Sequence, residues 1–132
     1  MLLDASERML EVAAEKAHLK QRIRFCTGDM LDLPFADATF DLVLSTYSTC
    51  PLYDPAQGAL EMYRVLKPEG RLGVAHSATP RNRSVRLLAN VIESAVWRIP
   101  RISLGCRPVT VLPALEKAGA SVIFRRTLRI PL

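Results

Sequence analysis

Apolar residues recur along this chain in two alternating rhythms, one suited to strands and one to helices. Leu2-Leu3 is the stub of an apolar strand that ends at Asp4. A helix follows, and Asp4 or Ser6 can cap it, because each offers a side-chain oxygen to the unpaired amides of a first turn. Met9, Leu10, Ala13, Ala14 and Ala17 recur at helical spacing, so this helix is expected to end near Leu19 or Lys20. Ile23 to Thr27 reads as a short strand with Ile23 and Phe25 on one face, terminated by Gly28-Asp29. Residues 30–39 form a loop punctuated by Pro34. Phe40 to Thr46 is apolar on both faces in its middle, the pattern of a parallel strand covered on both sides. The next helix is expected from about Pro55 to Leu66, with Ala59, Leu60, Met62, Tyr63 and Leu66 as its stripe. Pro68-Glu69-Gly70 stops it, and Leu72 to His76 is the next strand.

Beyond a polar basic loop at 77–83, Ser84 to about Trp97 has the spacing of an amphipathic helix, with Val85, Leu88, Ala89, Ile92, Ala95 and Val96 sharing a face. Residues 98–108 are irregular. Thr110 is placed to cap a short helix running through Lys117, and Gly119 to close it in the left-handed position. Val122-Ile123-Phe124 are expected to begin a last strand. Strands alternating with helices imply right-handed crossovers and an α/β fold with a mostly parallel sheet. In such sheets ligands bind beyond the carboxyl ends of the strands. That rule singles out Asp4, Asp29, Ser45 to Thr49 and His76.

Composition narrows the class without naming a chemistry. The 132 residues suit one domain, and 49% hydrophobic residues are enough for one core. No apolar run approaches a membrane span, and the N-terminus lacks the basic and apolar regions of a signal peptide, so a cytoplasmic protein is the expectation. Cys26, Cys50 and Cys106 are far apart, make no metal spacing with His18 or His76, and read as reduced thiols. The net charge of +5 conceals an asymmetry. Residues 1–80 carry 8 basic and 11 acidic side chains, whereas residues 81–132 carry 10 basic and 2 acidic ones. A basic half can face lipid headgroups, nucleic acid or an acidic substrate, or it can simply be a solvated face.

Four blocks of residues resemble one family, in order and at similar spacing. They are Asp4-Ala5-Ser6-Glu7-Arg8-Met9-Leu10, then Gly28-Asp29 with Leu33-Pro34-Phe35, then Phe40-Asp41-Leu42-Val43, and finally Arg64-Val65-Leu66-Lys67-Pro68-Glu69-Gly70-Arg71-Leu72. The family is the class I S-adenosyl-L-methionine (SAM)-dependent methyltransferases of the ubiquinone/menaquinone-biosynthesis type. The resemblance is close over residues 1–76 and loose beyond. It implies a Rossmann-like sheet and SAM as cofactor. Asp4 matches the acid that accepts from both ribose hydroxyls, although a helix cap alone also accounts for it. Met9 would lie against the nucleoside or pack in the core. Asp29 matches the acid that accepts from the adenine amino group, or is a turn aspartate. Met30 would offer its amide and side chain to the base, while Pro34 and Phe35 shape the loop over it. Ser45, Thr46 and Tyr47 match the end of the family's fourth strand, beneath the methionine part. Asp41 is expected to be structural. Methyl transfer from an activated sulfonium asks mainly for proximity and orientation. A general base is needed only when the acceptor must lose a proton. His76 is the best-placed base, ahead of Tyr47 and Tyr53.

The chain departs from the family in one respect. It contains no G-x-G, and it begins inside what would be the second strand. The expectation is a single incomplete methyltransferase domain over residues 1–132, lacking the first strand and the Gly-rich loop. A gap would then open in the middle of the sheet and expose two strand edges. Truncation of a methyltransferase is the favoured account. The alternatives are a domain completed by another chain or a non-catalytic remnant. The acceptor is expected to be a small or lipid-like molecule facing residues 77–108, with Trp97, Arg81, Arg83, Arg86, Arg98, Arg101 and Arg107. A basic amphipathic helix there suits contact with an anionic membrane surface as well as packing on its own sheet. Homo-oligomers through the exposed edge are a further expectation. Nucleic-acid binding ranks last, because only Trp97 and Phe124 could stack among the arginines.

Overall fold

A computed structural model describes residues 1–16, 22–76 and 109–127, together with Arg83, Ser84, Leu87 and Val91. The amphipathic helix expected from Ser84 to Trp97 therefore lies almost wholly outside the described residues, as do Cys106 and the arginines at 81, 86, 98, 101 and 107. Four strands and three helices follow one another as β1 (Leu2–Asp4), α1 (Glu7–Lys16), β2 (Phe25–Thr27), β3 (Phe40–Thr46), α2 (Pro55–Arg64), β4 (Leu66–Ala75) and α3 (Leu112–Lys117). None of the described helices is long and apolar enough to cross a membrane.

Both strand pairings are parallel, as the strand–helix alternation requires. β1 pairs with β2 in the register Leu2 to Phe25, Leu3 to Cys26 and Asp4 to Thr27. β3 pairs with β4, with Val43 opposite Leu72 and Thr46 opposite Ala75. These are two separate two-stranded sheets. Neither β1 nor β3 has a second ladder partner among the described residues. One face of β3 and β4 packs inward through Val43, Leu72 and Val74. The other carries Leu42 and Leu44, 55% and 72% exposed. Among the described residues β3 is thus covered on one face only, and not on both as its sequence suggested.

The core lies between the β3–β4 sheet, α2 and α3. Leu33, Cys50, Ala59, Met62, Val65, Val109, Val111 and Leu115 are buried together there. Cys26 and Cys50 are free thiols, as expected. α2 begins at its Pro55 because Asp54 caps it, accepting from the Gln57 amide at 3.0 Å. It ends at Arg64, two residues before its apolar stripe does. The amides of Ala38, Thr39 and Phe40 donate to the carbonyls of Arg64 and Val65 at 2.8–3.1 Å and so satisfy that terminus from outside the helix. β4 then starts at Leu66, earlier than the expected Leu72. A bulge takes up the difference, since Phe40 pairs with Leu66 but Leu42 with Arg71.

Two expectations about the C-terminal third are corrected. Thr110 does not cap α3. The cap position is Val111, without a side-chain hydrogen bond, and Pro113 in the first turn has no amide to satisfy. Gly119 does close the helix, at φ 101°. Val122, Ile123 and Phe124 form no strand. No described strand pairs with them and all three are exposed, so β-propensity alone does not order them.

Ala38 occupies the left-handed region, at φ 52°, where an L-residue is strained. Ala38→Gly is therefore expected to raise stability by about 0.5–1 kcal/mol, read as a higher urea midpoint. An unchanged or lower midpoint would show that the turn carries no releasable strain.

Candidate functional site

The carboxyl ends of β1 and β2 bring the two candidate acids to adjacent strand ends. Asp4 is the last residue of β1, opposite Thr27. The Gly28 amide donates to the Asp4 carbonyl at 3.2 Å, and Asp29 follows directly. The Asp4 side chain has a local task as well. Its Oδ1 accepts from the Ser6 amide at 2.8 Å, while Ser6 Oγ accepts from the Met9 amide at 3.3 Å and caps α1. Of the two expected caps, Ser6 does the capping and Asp4 orients it. Asp29 Oδ1 likewise accepts from the Leu31 amide at 2.9 Å. An ionised carboxylate has about four acceptor sites, so one local bond leaves each acid able to take donors from a ligand. Met30 is half-buried and packs toward the core, which leaves its turn fixed beside Asp29. Met9 is 56% exposed on α1, so it is not a core residue; Leu10 is buried instead.

A second group of residues sits where β3 and β4 end. The Tyr47 amide donates to the Ala75 carbonyl at 2.8 Å, so Tyr47 is tied beside the residue that precedes His76. Tyr47 takes a left-handed conformation, at φ 57°. Strain of that kind gathers where a side chain must be aimed against local preference, and the Tyr47 ring is exposed. Ser45 is 4% exposed and its hydroxyl lies 2.9 Å from that of Ser48. It fixes the turn and does not present its hydroxyl outward. Thr49 is fully buried, and its Oγ1 has no hydrogen-bond partner. His76 is half-buried. Among the described residues no group of acids, histidines and cysteines could hold a metal ion.

Sequence reasoning missed a third group, the polar cluster joining the 33–37 loop to α2. Glu61 Oε2 accepts from the Leu33 amide at 2.9 Å. Arg64 donates to Glu61, to Asp37 and to the carbonyls of Leu33 and Phe35. The only signal for it in sequence is the i,i+3 spacing of Glu61 and Arg64 on one helix. The Arg64 hydrogen bonds hold the Glu61 carboxyl below its ordinary value of 4.5, and Glu61 with Asp37 raises the proton affinity of Arg64. A depressed carboxylate stabilises the fold at pH above its ordinary value, and that contribution fades as pH falls through the folded value. Stability should therefore drop on acidification below about pH 4.5. Glu61→Gln should lower stability at neutral pH and flatten that acid limb, as followed by urea unfolding across the range. An acid limb as steep as the parent's would show that Glu61 is not its source.

Asp41 has the structural role expected of it. It receives Lys67 Nζ on both oxygens, at 2.9 and 3.1 Å, and ties β3 to β4. Phe35 meets Phe40 edge to face, with ring centroids 5.1 Å apart. The 35-to-40 stretch of the loop is thereby folded back onto the start of β3.

The chain is similar to known methyltransferases. A family model described as a methyltransferase domain matches residues 1–74. Demethylmenaquinone methyltransferase of Lactobacillus johnsonii is 34% identical over 88 residues, covering 64% of this chain and 36% of that protein. The chloroplastic 2-phytyl-1,4-beta-naphthoquinone methyltransferase of Arabidopsis thaliana is 42% identical over 79 residues, covering 56% and 30%. The chain thus spans about a third of the length of the curated relatives it matches. Among solved structures, a Bacillus halodurans protein assigned to the methyltransferases superposes with a TM-score of 0.72 at 28% identity, covering 89% of this chain and 51% of that one.

Proposed function

Because this chain belongs to the methyltransferase domain family, in its class I, ubiquinone/menaquinone-biosynthesis branch, we propose that it serves SAM-dependent methyl transfer to a small, lipophilic acceptor of quinone type. The cofactor is S-adenosyl-L-methionine. The observation that carries the reading is the pair of acids at adjacent parallel strand ends, Asp4 and Asp29, linked through the Gly28 amide and the Asp4 carbonyl. That donor set fits the nucleoside half of the cofactor. Asp4 keeps acceptor sites for two vicinal hydroxyls and Asp29 for an amino group, while Met30, its side chain packed inward, would offer its amide. When bound, SAM supplies a methyl group already activated on a sulfonium.

The chain's own residues then position the reactants and exclude water. Tyr47 and the Ser45–Ser48 turn border the methionine side, and Met9 borders the nucleoside from α1. His76, beside the Tyr47 backbone, is the group placed to take a proton when the acceptor must lose one. The quinone class rests on the activities for which the two relatives above are named. Contact with a membrane surface would come from the basic segment after β4.

A second reading is favoured by the separate sheets. β1 and β3 keep open edges among the described residues, so the chain is also built to receive an extended segment of another chain, or of a second copy, as an added strand. One titration separates the two readings. Saturable heat with S-adenosylhomocysteine means that the nucleoside site works in this chain and justifies a search for acceptors. No heat from folded protein means that the chain acts only once another segment joins its sheets.

A further inference from the structure

The loop that carries Asp29 and Met30 lies on α2, and that helix is shaped to receive it. Residues 58, 61, 62 and 65 recur on one helical face. Gly58 is buried, and a side chain there would put its Cβ 2.5 Å from Leu52 Cδ1, 3.6 Å from Met30 Cγ and 3.7 Å from Leu31 Cδ2. A Cβ there would crowd only the Leu52 side chain and would meet Met30 and Leu31 at ordinary contact distance, so the loop lies directly against this face of the helix. One turn on, Glu61 Oε2 takes the Leu33 amide at 2.9 Å. Arg64 then spreads its donors over the rest of the loop. Nη1 reaches the Phe35 carbonyl at 2.9 Å and Asp37 at 2.7 Å, and Nη2 reaches the Leu33 carbonyl at 3.1 Å. The same guanidinium is held by Glu61 through Nε at 2.9 Å and Nη2 at 2.7 Å. Leu33 is thus gripped by both its amide and its carbonyl.

We propose that Arg64 and Glu61 are positioning residues for the nucleoside half of the cofactor, acting through the 29–35 loop. The inference rests on the cofactor reading above. Neither residue touches the ligand. An exposed ion pair contributes little on its own, but this guanidinium spends donors on two backbone carbonyls, and a planar fork can fix a backbone where a point charge cannot. Asp29 and Met30 stand at the start of the gripped segment, with Met30 seated against α2 at Gly58. Releasing Leu33 therefore frees the turn that would meet the base. Lysine at position 64 would keep the charge and lose the fork.

The test uses the full chain with Arg64→Lys and, in case that variant folds poorly, Glu61→Gln. Two ligands are titrated, S-adenosylhomocysteine and 5′-methylthioadenosine, which share the nucleoside and differ in the amino-acid part. Exchange of the Leu33 amide is followed in parallel. We expect both dissociation constants to rise by the same factor, about tenfold for one lost charge-assisted contact, and the Leu33 amide to exchange faster. Asp41→Asn removes an exposed ion pair elsewhere and should leave both constants alone, which separates positioning from general destabilisation. Parental affinity in both variants, or weakening of S-adenosylhomocysteine alone, would overturn the proposal. Absence of binding by the unsubstituted chain would overturn the cofactor reading and this one with it, and that outcome is recognisable because it appears before any substitution is made.

Discussion

Asp4→Asn is expected to weaken the binding of S-adenosylhomocysteine by about a hundredfold or more. The size follows from the chemistry. A carboxylate taking both ribose hydroxyls makes two bonds to a charged acceptor, each contributing roughly 1.5–3 kcal/mol. An amide in its place has one acceptor oxygen and no charge. Asparagine is the informative substitution because its oxygen can still accept from the Ser6 amide, the 2.8 Å contact that sets the start of α1. Unfolding by urea should accordingly show little change while calorimetry shows the ligand lost. Parental affinity in the variant would reduce Asp4 to a turn residue, and the ribose would have to be held elsewhere.

The largest effect on stability is expected from Met62→Ala. Met62 is 2% exposed and belongs to the cluster that joins α2 to α3 and to Leu33 of the loop. Truncating a buried methionine removes its transfer energy and leaves a cavity, together about 2–5 kcal/mol. Domains have roughly 5–15 kcal/mol in all. The urea midpoint should fall steeply with little change in slope. A loss below about 1 kcal/mol would mean that the site collapses around the alanine and that α2 is not the centre of the core.

What sequence could reveal depended on whether the cause of a feature was local. β3 was legible to the residue, because a short apolar run from Phe40 is bounded by its own neighbours. The start of α2 was legible from Pro55. Its end was not, because the amides that satisfy the carbonyls of Arg64 and Val65 come from residues 38–40. β-propensity at Val122 to Phe124 misled for the same reason, since a strand needs a partner. At the candidate site, Asp4 and Asp29 were legible as strand-end acids. The pairing of Ser45 with Ser48 and the exposure of Met9 were not, because each depends on how a turn or helix is rotated. The Glu61–Arg64 grip was hidden because much of what it holds is backbone, the Leu33 amide and the Leu33 and Phe35 carbonyls, which no residue type announces.

The uncovered side of β3 also bears on how the chain behaves in a crowded solution. Seven residues, Phe40 to Thr46, pair on one edge only among those described and show Leu42 and Leu44 to solvent. Such a segment is a template for stacking against its own kind. Asp41 is the one charge within it, and its bonds to Lys67 keep that carboxyl ionised below the usual carboxylate range. Asp41 is thus the gatekeeping charge of that segment, and strong acid, which neutralises it, removes that local protection.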